Sequence, residues 1–319
     1  EPPQARVTVQ AVFSELPPGD LELAIPRTWG AFQNLDQQVR WIQVNAVGGK
    51  DIALSQQETR SDDPFERWQV AVPENGSLSV TYSIELAGSD GPVPSFVQSD
   101  HALLLARSLF IFPATWLDQP GELPVGVQVR IEPPKGWPVY TSWPDGAAEA
   151  TYRPTSLDDL LDAVIAVGQY RGYAVRQDEN SVNVLVAPGI AYEDTETWAK
   201  SIGCSVLSLE GYFGAAPDGA ANAQILAVVV TNDAASVLTS ESLASGAIVA
   251  RADPTTPPDQ LLMREALNLW ISGALRAAPR WALAPEETWR TIGWADYLVW
   301  RMDFDAGNVS AVQYWDRLR

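Results

Sequence analysis

One rhythm constrains the first half of this chain more than any other feature. Short segments of alternating apolar and polar residues follow one another, cut by Gly, Pro, Asn and Asp. "ARVTVQAVFSEL" runs into the turn "PPGD"; "LELAIP", "VRWIQVNAVGG", "ERWQVAV" and "SLSVTYSIEL" follow. After them come "HALLLARSLFIFP", "PVGVQVRIEPPKGW" and "ATYRP". A period of two places successive side chains on opposite faces, the pattern of a half-buried strand. Pro133-Pro134 and Trp143-Pro144 read as turns between strands. Many short strands with regular turns and no long helical period argue for an antiparallel β-sandwich.

Near Thr155 the pattern changes. "TSLDDLLDAVIAVG" offers Ser156 as an N-cap and two Asp in the first turn, and reads as a helix. "SVNVLVAP", "AQILAVVVT" and "GAIVARAD" read as strands, and "YEDTETWAKSIGCSVLSLEGYFG" as a helix closed by Gly211 and Gly214. "PPDQLLMREALNLWISGALR", "APEETWRTIGWADYLVWRMD" and "AGNVSAVQYWDRLR" read as three further helices. At 319 residues and roughly one domain per ~150 residues, two domains are expected. The boundaries are residues 1–154 for a β-sandwich and 155–319 for an α/β domain.

Charge and counts narrow the functions. The formal net charge of -19 repels phosphate backbones, which excludes nucleic acid as a partner. No apolar run reaches the ~18 residues of a membrane span. The single cysteine, Cys204, forms no intrachain disulfide; beside Val206, Leu207 and Leu209 it reads as a buried structural thiol. The opening "EPPQAR" lacks Met and reads as a trimmed chain, so an exported location is one expectation and a cytoplasmic one the other. The single histidine, His101, would have to serve any Ser-His or Cys-His nucleophile system, and it gives a zinc site at most one imidazole. It reads as a satisfied strand residue or as a lone ligand or base.

Within an apolar helix lies "REALNLW", Arg264 to Trp270. The polar trio Arg264, Glu265 and Asn268 has the spacing of HExxH. In that motif two imidazoles at i and i+4 share one helix face and one zinc, and the intervening Glu takes a proton from the bound water. Downstream, "WRTIGWADYL" (Trp289 to Leu298) resembles the "W-x-x-E-G-x-x-D-Y" stretch of glycyl aminopeptidase-type gluzincins, whose members often also bear a PDZ domain. Gly293, Asp296 and Tyr297 match that stretch, and Trp270 matches the aromatic after HExxH. "LELAIPRTWGAFQNLDQQVRWIQVNAVGG", with Trp29 and Gly30, is similar to the family's N-terminal segment. "IEPPKGWPVYTSWP" resembles its "PPGW" turn, and "TSLDDLLDAVIAVGQY" its "L-x-D-x-P-x-x-x-G" helix. The pieces run in order over most of the chain.

The resemblance implies a thermolysin-like α/β domain, truncated by loss of the usual C-terminal helices. It also places the three metal positions on Arg264, Asn268 and Ile292. Arg is never deprotonated in a protein, Ile has no lone pair, and Asn oxygen is a poor zinc ligand. No metal and no cofactor are therefore expected, and Glu265 is left as a vestigial base. The family's "GG-x-E" strand falls near Ala234 to Leu243, with Glu241 as a remnant. Arg264 is expected to fill the vacated space and pair with Glu241, Asp296 or another acid. Glu265, ~100° away around the helix, is not the obvious partner.

Glu241, Trp270, Asp296 and Tyr297 are candidate cleft residues. Trp270, Trp281, Trp289, Trp294 and Trp300 read either as an aromatic surface or as helix core. Asp62-Asp63 and Asp158-Asp159 read as turn and helix caps rather than as paired catalytic acids. The leading expectation is a catalytically inactive gluzincin homologue that binds a peptide or protein segment, with "GAIVARAD" as the sheet edge that receives it. A homo-oligomer could close the cleft. A hydrolase using Glu265 at a relocated site and a purely structural envelope protein are the alternatives.

Overall fold

The computed structural model describes residues 6–317 apart from 30–32, 59–62, 87–92, 119–120, 122, 124–126, 144–149, 215–216, 218–223, 232–238, 244–245, 276–284, 306 and 308. Of residues 272–275, 285–292 and 317 it describes the backbone alone. The chain divides into two compact units, Glu1–Gly168 and Gln169–Arg319.

The first unit is sheet-rich. Its strands are β1 (Arg6–Phe13), β2 (Gly19–Pro26), β3 (Val39–Ala46), β4 (Asp51–Ile52), β5 (Leu54–Gln56), β6 (Phe65–Val72) and β7 (Leu78–Glu85). Then come β8 (Phe96–Val97), β9 (His101–Leu105), β10 (Phe112–Pro113), β11 (Val129–Arg130), β12 (Val139–Thr141) and β13 (Thr151–Tyr152). A short helix α1 (Leu157–Leu161) and β14 (Val164–Gly168) complete it. Two four-stranded sheets run β1-β7-β3-β4 and β10-β2-β6-β5, with every pairing antiparallel. The alternation read in the sequence is the alternation of burial: Leu78, Val80, Tyr82 and Ile84 of β7 are all fully buried. Tyr82 adds a polar tie, donating its hydroxyl to the Leu109 carbonyl at 2.7 Å and accepting from Ile111 N at 2.9 Å.

The third sheet, β12-β14-β9-β8, corrects one expectation. "TSLDDLLDAVIAVG" is not one helix. Ser156 caps it as expected, accepting from Asp159 N at 3.0 Å, and Asp159 reaches back to Thr155 N at 2.7 Å. After Leu161 the chain turns and enters β14 between two antiparallel neighbours. A strand covered on both faces shows a continuous apolar run, which periodicity alone does not separate from helix. The β-branched Val164, Ile165 and Val167 favour the strand.

The second unit is mixed. It contains β15 (Arg171–Gln177), β16 (Asn180–Val186), α2 (Thr195–Phe213), β17 (Gln224–Thr231), β18 (Thr239–Leu243) and β19 (Ala247–Ala252). Helices α3 (Asp259–Leu275), α4 (Pro285–Asp305) and α5 (Ala311–Arg317) follow. The sheet order is β15-β16-β17-β19-β18. Its centre is parallel and both outer pairings are antiparallel. Helix α3 packs on α2, β18, β19 and α4.

Two further expectations are overturned here. Cys204 is exposed rather than buried. Ile202, Val206 and Leu209 form the buried face of α2, and a residue two places from Ile202 and from Val206 lies on the opposite side of a 3.6-residue turn. "GAIVARAD" is not an edge, because β19 has β17 on one side and β18 on the other. Among the described residues the outer strands of this sheet are β15 and β18, and the one beside β19 is β18, "TSESL". Among the described residues no helix is long and apolar enough to cross a membrane.

Candidate functional site

Helix α3 and edge strand β18 bring together the charged and polar residues that sequence reasoning singled out. Leu262, Ala266, Leu267 and Leu269 bury the apolar face of α3. Glu265 and Asn268, three apart and therefore neighbours on the helix surface, are also buried, at 5% and 8% exposure. A buried carboxylate needs donors, and Glu265 has them on both oxygens. Its Oε1 accepts from Ser240 Oγ at 2.9 Å and from Arg264 Nε and Nη2 at 3.1 and 2.9 Å. Its Oε2 accepts from Asn268 Nδ2 at 3.1 Å. Arg264 Nη2 also donates to Ser240 Oγ at 2.9 Å, so the serine hydroxyl accepts from the cation and donates to the anion.

Arg264 therefore pairs with its own neighbour in sequence, which corrects the expectation of Glu241 or Asp296. The ~100° between adjacent helical positions separates Cβ directions, not the ends of long side chains. Both side chains extend to the β18 edge and meet at Ser240. Ser240 was missed in the sequence. The signal was there: in a strand a period of two puts Ser240 and Ser242 on one face of "TSESL" and Glu241 on the other.

The other candidates scatter. Glu241 is half-buried on β18, on the face opposite Ser240. Trp270 is buried and stacks on Phe213 with ring centroids 6.1 Å apart. Asp296 is half-buried on α4, and Tyr297 is exposed and meets exposed Trp294 edge-on at 6.0 Å. Of the five tryptophans, the three described thus divide between core (Trp270) and surface (Trp294), with Trp300 half-buried. The side chains of Ile292, Trp281 and Trp289 lie outside the described residues, as do Gly30 and Asp62. Asp63 accepts from Phe65 N at 3.0 Å and Arg67 Nε at 2.8 Å, a turn cap. His101 belongs to the first unit, is buried, and its Nδ1 lies 2.8 Å from the Asp100 carboxylate.

The α3 group does not fit a zinc ion. Its donor set is a guanidinium, an amide and one carboxylate, and that carboxylate already accepts four hydrogen bonds. Among the described residues there is no group of three His, Cys, Asp or Glu that could hold a metal. A general base must reach the proton it removes. Glu265 has its Oε1 engaged by Ser240 and Arg264 and its Oε2 by Asn268.

Comparison with known proteins follows the same outline. Residues 1–169 match the family model of the peptidase M61 N-terminal domain. No curated protein matches the chain. Among solved structures, an aminopeptidase N family protein from Idiomarina loihiensis aligns with a TM-score of 0.75 at 12% identity, over 97% of this chain and 54% of its own. Native leukotriene A4 hydrolase from Saccharomyces cerevisiae aligns with a TM-score of 0.51 at 14% identity, over 95% and 46%. At these identities the likeness is one of fold. The chain spans about half the length of these relatives.

Proposed function

The chain belongs to the peptidase M61 N-terminal domain family, among the homologues of gluzincin-type metallopeptidases, and on that premise we propose that it is a catalytically inactive member that binds an extended peptide or protein segment. In this reading the second unit is a thermolysin-like α/β domain and the ligand lies beside edge strand β18. One observation carries the proposal: the carboxylate at the position of the family's base is held on both oxygens, by Arg264 and Ser240 on one and by Asn268 on the other. The residue that replaces the first metal ligand is itself the cation that holds it.

Two arguments support the binding role. The outer backbone groups of an edge strand are a template for another strand. β18 is such an edge, and the residues that replace the catalytic group lie along it.

The test combines metal analysis of the purified chain with an aminopeptidase assay on glycyl and alanyl anilides. The expected result is zinc well below one per chain and a rate unchanged by Glu265→Gln. Stoichiometric zinc that is lost on Glu265→Ala, together with turnover, would establish the hydrolase instead. Hydrogen exchange of β18 amides, slowed by added peptide, reports the binding role directly.

A further inference from the structure

Arg264 is held along one edge and open at the other. Nε and Nη2 are bonded to Glu265 and Ser240. Nη1, with its two N–H groups, takes part in none of these bonds. The Arg264 side chain retains 29% exposure while that of Glu265 retains 7%. The anion is thus the more buried member of the pair, and the cation, whose Nη1 is not used in it, the more exposed.

We infer that Nη1 of Arg264 recognises the C-terminal carboxylate of the extended peptide. This rests on the peptide-binding reading above and gives it a chemical class. A ligand laid along β18 strips water from Nη1, and a covered cationic N–H without an acceptor is costly. Among the described residues, neither Glu265 nor Glu241 supplies that acceptor. Glu265 is committed to the opposite edge of the guanidinium, and Glu241 lies on the other face of β18.

Geometry favours the same class. Three bonds hold the guanidinium plane against rotation, so little orientational freedom is lost on binding. A carboxylate takes charge-assisted bonds from it and adds an ion-pair attraction that a neutral peptide carbonyl does not offer. The chain as a whole carries -19 and does not attract anions at long range, so the preference arises at this one group.

The probe is a mixture of N-acetylated hexapeptides of random sequence, prepared as free acids and, separately, as C-terminal amides of neutral composition. Binding to the full chain is read by calorimetry and by protection of the β18 amides. The acid mixture binds about tenfold or more tightly than the amide mixture. Arg264→Gln abolishes the difference while amide binding persists. Arg264→Lys narrows it, because one ammonium cannot hold Glu265 and Ser240 and still present a second edge. Equal binding of acid and amide by the native chain overturns the carboxylate inference and leaves the peptide reading standing. An undiminished preference in both variants also overturns it. Absence of binding and of β18 protection with either mixture removes the peptide reading itself.

Discussion

Each compact unit carries an arginine–carboxylate pair, and the two pairs differ in one respect. Arg107 and Asp162, in the first unit, retain 0% and 1% side-chain exposure, with Nη1 3.5 Å from Oδ1. Trp29 Nε1 donates to the same oxygen at 3.3 Å. Arg264 and Glu265, in the second, retain 29% and 7%. A pair closed on all sides does architectural work: it joins β9's following turn, the end of α1 and the segment after β2. Its net worth against an apolar replacement is small, but loss of either partner breaks a buried ion pair, which is costly. A pair with one member at the surface keeps water as an alternative partner, and so remains available to a ligand. Burial, rather than pairing, separates the two roles.

The sharpest test removes one carboxylate from each unit. Asp162→Asn should cost about 3–5 kcal/mol in urea unfolding, because Arg107 has no route to water. Glu265→Gln should cost less, about 1–3 kcal/mol, since Arg264 can turn outward. If the two costs are equal, the contrast between architectural and accessible pairs is lost. Ser240→Ala comes next, at about 0.5–1.5 kcal/mol. It should also loosen Arg264, visible as a smaller acid-over-amide preference in peptide binding.

The smallest effect is a pH dependence beside the buried pair. Burial holds the Asp159 carboxyl above its ordinary value, its bonds to Thr155 oppose that, and the charge of Asp162 adds to it. A carboxyl whose folded-state pKa is raised contributes most below its unfolded value, and the contribution declines as pH rises through the folded value. Asp159→Asn should therefore flatten the stability curve in the window that starts at the ordinary carboxylate range and runs upward. An unchanged slope there would show that Asp162 and the buried surroundings do not act on Asp159.

Much of the fold was legible. Alternation found β1, β2, β6 and β7, and the Ser156 cap found the start of α1, while the Asp194 cap of α2, which accepts from Thr197 N at 3.1 Å, went unread. The errors share a cause. "AVIAVG" was read as helix because burial on both faces erases the period that distinguishes the two structures. Cys204 was placed inside by its sequence neighbours, although neighbours two apart on a helix face opposite ways. At the site, Arg264, Glu265 and Asn268 were recognised by spacing, while Ser240 lay in a segment read for a different motif.

The sequence by itself determined the elements and the chemistry of the site's residue types. Periodicity and capping act over a few residues, and whether a guanidinium or a sec-butyl side chain can hold a metal is a property of the group alone. Only the tertiary structure decided that β18 rather than β19 is an outer strand among the described residues and that Arg264 meets Glu265 across Ser240. Strand order and side-chain ends are set by packing between segments distant in the chain, and no local pattern carries that information.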